Sequence, residues 1–293
     1  MNQVSLIFLC VWAVIMTLAI VIVLVYTVPL IRFAINIRTI VYRQMQKTPG
    51  AYPINDLGIV PFTGEYSVAA SLSQLYYWHD ALYANNVSVF PRNASLVPLE
   101  HNKPSDPPIC ADFTLGLTRF TIWRGTKTNV EVAIDLDVAQ VHNESLGGLV
   151  HRGFSKVLTQ VMKVLNQRST AAIEQHIIFG HSLGGALTQL STVLFPNSIG
   201  YASAAPRSCS PQVAQGFEGL VQRLTTIVNH ADVINHVPLS VTDIGFAQYY
   251  YEVIDSDFIR FNNVKATLAD CHITNTYVES INSNVTNGYD RTL

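Results

Sequence analysis

The chain has 293 residues, of which 49% are hydrophobic and 13% charged, which is ample apolar side chain for one large core or two small ones. With 18 Lys and Arg against 20 Asp and Glu it carries a formal charge of −2, and residues 1–55 hold four of the cations and no acid, so the remainder carries −6. An acidic remainder argues against nucleic acid as a partner, and the four cysteines have neither CxxC nor CxxH spacing, so a zinc site is not supported.

From Val4 to Ile31 no residue is charged, and Leu6 to Tyr26 is almost wholly apolar, long enough for one helix to span a bilayer. No Lys or Arg precedes the run and no small-x-small cleavage site follows it, so residues 1–31 read as a retained single-pass anchor rather than a signal peptide. Arg32, Arg38, Arg43 and Lys47 make residues 32–55 a basic stem, read either as a segment that stays cytoplasmic beside anionic lipid or as a solvated linker helix with a few positive charges. Four N-x-S/T sequons, at Asn86, Asn93, Asn143 and Asn284, would matter only if the domain faced a lumen, so the side of the membrane stays open. Cys10 lies in the anchor; Cys110, Cys209 and Cys271 allow one disulfide plus a free thiol, or none.

Residues 56–293 read as one α/β domain. Ser67 to Ala84 is a predicted helix carrying Tyr76, Tyr77, Trp78 and Tyr83, an aromatic set expected in the core or at a domain edge. The prolines at 91, 98, 104, 107 and 108 mark 85–110 as an irregular surface loop. Phe120–Trp123 is a strand ending at Arg124-Gly125-Thr126, and 152–165 is a helix. His176–Phe179 is a buried strand, 183–195 a helix, and 198–203 and 223–228 are strands. Strands alternating with helices predict a mainly parallel sheet covered on both faces.

Gly180-His181-Ser182-Leu183-Gly184 sits between the strand at 176–179 and the helix at 183–195, which carries Leu183, Ala186, Leu187, Leu190 and Leu194 at helical spacing. Strand, sharp turn and helix are the context of a nucleophile elbow, in which a side chain at 180 or 184 would clash and Ser182 is lifted clear of the sheet. A glycine-rich turn whose serine merely caps the helix would show the same five residues; the flanking elements and Gly185 favour the elbow.

A serine hydroxyl needs a base, and the base needs an acid to hold it. In this arrangement the chain order is Ser, then Asp or Glu, then His. Asp232 follows the strand at 223–228 and is the preferred acid, ahead of Asp243, Asp255, Asp257 and Asp270. His230 precedes Asp232 and His236 shares its loop, which leaves His272, 40 residues on, as the base. The residue after the nucleophile, Leu183, supplies one oxyanion N–H, and the Arg124-Gly125-Thr126 turn offers a second at Thr126, with its hydroxyl as a further contact, although an ordinary strand-ending turn would show the same three residues.

The ordered set Ile122-Trp-Arg-Gly-Thr126, Val150-His-Arg-Gly-Phe154, Gly180-His-Ser-Leu-Gly-Gly185, Ala205-Pro206-Arg207 and Val228-Asn-His-Ala-Asp232 with Pro238 resembles the class 3 lipase family, the fungal triacylglycerol lipase-like group of α/β-hydrolases. The resemblance runs over about residues 65–280. It implies an α/β-hydrolase fold, Ser182, Asp232 and His272 as the triad, and Thr126 and Leu183 as the oxyanion hole. Asp135 falls where the family has an aspartate after its lid, and the lid itself would fall near Lys127–Ala133, with only Val130, Val132 and Ala133 as apolar residues. The chain departs from the family at Ala204, at Ser208-Cys209 and at Ile234-Asn235. The expected function is a membrane-anchored serine lipase or esterase with a lipid ester substrate and no cofactor or metal. Phospholipase A1, acyltransferase and catalytically silent membrane-binding roles are the alternatives.

Overall fold

The computed structural model describes residues 16–17, 65–167, 173–216, 223–238, 254 and 256–287. The expected anchor and stem, Met16 and Thr17 apart, lie outside the described residues, as does Asn284's side chain. Among the described residues no helix is long and apolar enough to cross a membrane.

The described elements, in chain order, are α1 (Glu65–Tyr83), β1 (Ser95–Val97), β2 (Cys110–Leu115), β3 (Thr118–Trp123), α2 (Asn129–Leu136), β4 (Gln140–Asn143), β5 (Gly148–His151), α3 (Arg152–Leu165), β6 (Gln175–His181), α4 (Leu183–Leu194), β7 (Ser198–Ser203), α5 (Pro211–Gln215), β8 (Leu224–Asn229), β9 (Asp257–Phe261), α6 (Leu268–His272) and α7 (Thr274–Asn287). Seven strands form one sheet in the order β1-β2-β3-β6-β7-β8-β9. β1, β2 and β3 pair antiparallel, and every pair from β3 onward is parallel. β4 and β5 form a separate hairpin.

Alternation along the strands divides the core between two faces. In β6, Ile177 and Phe179 pack with Tyr76, Leu82, Tyr277 and Ile281 of α1 and α7. Ile178 points the other way, toward Val157, Leu158 and Val161 of α3 and Leu187 and Leu190 of α4. α3 is a one-faced helix, with Phe154, Val157, Leu158, Val161 and Leu165 buried at helical spacing. α4 is buried all round, so it can carry apolar residues on every side.

The proline-rich stretch is more ordered than its composition predicts. It holds the edge strand β1, paired with Cys110–Asp112 of β2, and a short 3-10 turn at Val87–Val89. The prolines flank these pieces rather than interrupt their ladder, which is how proline is tolerated at a sheet edge. Of the four aromatics expected in the core or at a domain edge, Tyr76, Trp78 and Tyr83 are buried, and Trp78 meets Phe113 and Phe120 edge-on. Cys110, Cys209 and Cys271 are buried.

Candidate active site

The ends of four strands deliver the groups of interest to one edge of the sheet. β6 runs directly into Ser182, β8 leads to Asp232, β9 leads by a short loop to His272 at the end of α6, and β3 ends at Arg124-Gly125-Thr126. The crevice beyond the carboxyl ends of parallel strands is where such folds place ligands, because the strand ends and helix starts leave backbone donors unpaired there.

Ser182 has φ 60° and ψ −124°, a conformation that costs a non-glycine residue about 1–3 kcal/mol. The neighbours hold it there. A Cβ on Gly180 would overlap the carbonyl of Gly184, and one on Gly184 would lie 2.5 Å from the carbonyl oxygen of Trp123. The glycines expected at these two positions therefore let the helix close on the strand it follows and on the end of β3. The Ser182 N–H donates to the Ser203 carbonyl of β7 at 3.0 Å, and its own carbonyl accepts the first bonds of α4 from Gly185 and Ala186.

The structure brings Ser182, His272 and Asp232 into one line. Ser182 Oγ lies 2.8 Å from His272 Nε2, and His272 Nδ1 lies 2.7 Å from Asp232 Oδ2. With a neutral imidazole and an ionised Asp232, Nδ1–H donates to the carboxylate and Nε2 accepts from the serine hydroxyl. Asp232 and His272 are buried, while Ser182 keeps partial access. Asp232 is satisfied at both oxygens: Oδ1 accepts the Ile234 N–H at 3.0 Å, and Oδ2 also accepts from the Tyr277 hydroxyl at 2.7 Å. Burial and the charge of Asp232 push the Tyr277 hydroxyl well above the ordinary tyrosine range, so it stays a donor.

The competing residues are elsewhere. His230 and His236 are exposed on the loop that carries Asp232. Asp270 accepts from Thr267 Oγ1 at 2.7 Å at the start of α6. Asp243 and Asp255 lie outside the described residues, as does the side chain of Asp257.

Backbone supports complete the line. His181 Nε2 donates to the His272 carbonyl at 2.7 Å, and its Nδ1 accepts from Ser203 Oγ at 3.0 Å. Ser203 in turn lies 2.5 Å from the Tyr76 hydroxyl. Asn229 Nδ2 donates to the carbonyls of Cys271 and Asn263, both at 3.0 Å. His181, between Gly180 and Ser182 of the motif, thus holds the peptide of His272 in place. Nothing in the motif's spacing signals that role, nor that of Tyr277.

The expected oxyanion donors stand on either side of Ser182. Leu183 is the first residue of α4, where N–H groups lack helical acceptors. Gly125 approaches the elbow closely enough that a Cβ on it would be 3.5 Å from Ser182 Cβ. Among the described residues, neither the Thr126 nor the Leu183 N–H has a hydrogen-bond acceptor. The Thr126 hydroxyl differs from expectation. It donates to Asp135 Oδ2 at 2.7 Å, so its proton is already committed and it serves the loop rather than the crevice.

The segment expected as a lid begins with a capping box. Thr128 Oγ1 accepts the Glu131 N–H, and Glu131 reaches back to the Thr128 N–H at 3.0 Å. Glu131 is fully buried and also takes Arg124 Nη2 at 2.5 Å and Nη1 at 2.9 Å. Burial would raise its pKa, but the Arg124 hydrogen bond and charge, with the Lys127 and Thr128 N–H groups, outweigh it and hold the carboxyl below the ordinary range. Ala133 is exposed and Val132 half-buried, while Val130 and Ile134 pack on the core.

Asp135 is the opposite case. Burial, with the charge of Glu131 adding to it, pushes its carboxyl up to about 8 against the opposing Thr126 hydrogen bond. Between its ordinary value and 8 the folded protein holds a proton that the unfolded chain has lost, so stability falls as pH rises through that window. Burial lowers His151 to about 4 and His176 to about 3, which gives the opposite slope below pH ~6.5. The isolated expectation lies above that. From pH ~6.5 to ~8 the wild type should lose up to about 1.4 kcal/mol per pH unit relative to Asp135→Asn, measured as urea unfolding free energies of the two proteins side by side.

Residues 120–242 match the family described as Lipase (class 3). No curated protein matches the chain. Among solved structures, a fungal lipase in complex with an inhibitor is 23% identical at a TM-score of 0.38, covering 45% of this chain and 56% of that one. The chain therefore spans little more than half of that relative. A Rhizomucor miehei lipase propeptide complex is 18% identical at a TM-score of 0.49, covering 80% of this chain and 83% of the other. A mono- and diacylglycerol lipase from Aspergillus oryzae is 18% identical at a TM-score of 0.44, covering 67% and 74%.

Proposed function

We propose that this chain, a member of the class 3 lipase family by its match over residues 120–242, is a membrane-anchored serine hydrolase that cleaves carboxylic ester bonds of acylglycerols or related lipids. The observation that carries the reading is the unbroken line Ser182 Oγ–His272 Nε2 at 2.8 Å and His272 Nδ1–Asp232 Oδ2 at 2.7 Å, set at the mouth of a strained elbow.

His272 Nε2 takes the Ser182 proton as Oγ attacks the ester carbonyl, and the resulting oxyanion sits against the Thr126 and Leu183 N–H groups. Each such donor contributes about 3 kcal/mol, because it is aimed where charge develops and needs no reorganisation at the moment of reaction. The proton passes from His272 to the departing alkoxide, which leaves as an alcohol with the acyl group on Ser182. Water, deprotonated by His272, then attacks the acyl carbon; the bond to Ser182 Oγ breaks, His272 returns the proton to that oxygen, and the carboxylic acid is released. Asp232 holds the imidazole in its reactive tautomer and stabilises its charged form. Nucleophile, base and acid all come from side chains, so the reaction as written calls for no cofactor or metal. The uncharged run from Val4 to Ile31 supports the anchor, and keeping the domain at a membrane raises the local concentration of insoluble substrate.

The full-length chain in detergent is treated with a fluorophosphonate and digested, and the adduct is located by mass spectrometry. The expected result is one stoichiometric phosphonyl adduct on Ser182, followed by turnover of one or more acylglycerols in a panel of lipid esters. A folded protein that takes up no adduct would overturn the hydrolase reading and leave a lipase-like binding protein.

A further inference from the structure

The peptide groups around Thr126 are held from one helix. The Gly125 N–H donates to His79 Nε2 at 3.1 Å, and the Tyr83 hydroxyl donates to the Thr126 carbonyl at 3.0 Å. His79 and Tyr83 are four residues apart on α1 and therefore share a face, with ring centroids 6.1 Å apart. Between these two contacts lies the Gly125–Thr126 peptide, whose carbonyl accepts from Arg124 Nη1 at 2.7 Å. In a trans peptide the N–H points opposite to the carbonyl, so fixing that oxygen also fixes the direction of the Thr126 N–H.

His79 is itself seated. Accepting at Nε2 requires the other nitrogen to carry the proton, and Nδ1 lies 3.0 Å from Asp80 Oδ1. Asp80 Oδ2 accepts from Thr274 Oγ1 at 3.0 Å, two residues beyond His272. The His79 ring also packs on His181 at 5.6 Å between centroids, and His181 packs on His272 at 4.9 Å. His79, Asp80 and Tyr83 are all buried. An apolar residue would fill the site of His79, but it would leave the Gly125 N–H without an acceptor and its peptide free to turn.

We infer that His79, seated by Asp80, and Tyr83 are positioning residues of the oxyanion hole, which hold the Gly125 N–H and the Thr126 carbonyl so that the Thr126 N–H faces the reacting carbonyl before substrate arrives. The inference rests on the hydrolase reading above. It adds that the helix preceding the sheet, 100 residues before the nucleophile elbow, sets the rate of the chemical step and not only the stability of the core.

The test uses the full-length chain in detergent with His79→Phe, His79→Gln and Tyr83→Phe. Phenylalanine keeps the ring and removes the acceptor, whereas glutamine retains an acceptor. One readout is kcat and KM for p-nitrophenyl butyrate. The other is ¹⁹F NMR of an alkyl trifluoromethyl ketone bound to Ser182, in which the hemiketal oxyanion reports its own ionisation. His79→Phe is expected to lower kcat about tenfold with KM changed less than about twofold, and to move the hemiketal ionisation up by about one pH unit. Tyr83→Phe should move both readouts in the same direction, and His79→Gln should recover most of the loss. Folded His79→Phe and Tyr83→Phe proteins with wild-type kcat and wild-type adduct ionisation would overturn the inference. If His79→Phe does not fold, Tyr83→Phe decides by the same two readouts. Absence of hydrolysis and of adduct in the wild type would instead overturn the parent reading.

Discussion

Replacing Ser182 with alanine is expected to lower kcat for a short-chain ester by about 10⁶, to the residual level that oxyanion donors and binding sustain without a nucleophile. The magnitude follows from how the three groups depend on one another. His272 Nε2 has Ser182 Oγ as its partner at 2.8 Å, and Asp232 has His272 at 2.7 Å, so each acts only through the next. Ser182→Ala combined with His272→Ala should therefore be no slower than Ser182→Ala alone. Asp232→Asn should lose about 10⁴ in kcat, because an amide at that position can offer a donor to Nδ1 and favour the wrong tautomer. The fold should be unaffected in Ser182→Ala, since among the described residues the hydroxyl bonds only to His272. Steady-state kinetics on the three variants with circular dichroism as a control settles it. A Ser182→Ala protein within tenfold of wild type would mean that the nucleophile lies elsewhere.

Glu131→Ala is expected to cost about 3–5 kcal/mol of folding free energy, the usual penalty for stranding a buried charge. Glu131 and Arg124 are both fully buried. The carboxylate accepts two bonds from Arg124, the N–H groups of Lys127 and Thr128 at 2.6 and 3.0 Å, and Asn102 Nδ2 at 3.0 Å. Removal leaves Arg124 charged and unpaired while it still bonds the carbonyls of Pro107, Pro108 and Gly125. It also dissolves the capping box that starts α2. The carboxyl's pKa is depressed in the folded protein, so its stabilising effect is present above the unfolded value and fades as acid protonates it. Urea denaturation of the wild type and Glu131→Ala at pH 7 and pH 4 gives the measurement. The gap should be smaller at pH 4 than at pH 7, because near pH 4 the unfolded chain binds a proton on this carboxyl that the folded protein resists. Because Arg124 also holds the Gly125 carbonyl, kcat of any folded Glu131→Ala protein should fall as well.

The nucleophile elbow was legible because it is local. An apolar strand, two glycines and a helix of period 3.6 lie within about 20 residues, and the steric reason for glycine at 180 is a contact inside that segment, although the one at 184 is the Trp123 carbonyl of β3. That Asp232 and His272 line up with Ser182 was legible by chain order, which is a topological consequence of parallel strands placing successive loops on one edge. Other features resisted reading. The proline-rich stretch at 85–110 looked irregular, yet it contributes β1, since edge pairing depends on a partner strand rather than on local propensity. The Thr126 hydroxyl was expected at the crevice, but it turns to Asp135, nine residues on across the start of α2.

The sequence by itself determined the elbow at Ser182, the alternation of strands and helices, and the order in which Asp232 and His272 follow. Each depends on spacing along the chain and on the backbone preferences of glycine and apolar residues. Only the tertiary structure decided that His181 holds the peptide of His272, that Tyr277 shares Asp232, and that His79 and Tyr83 of a distant helix clamp the Gly125–Thr126 backbone. These are contacts between residues 43 to 91 positions apart. Their energy comes from burying paired polar groups away from water, and no local pattern encodes which pairs will meet.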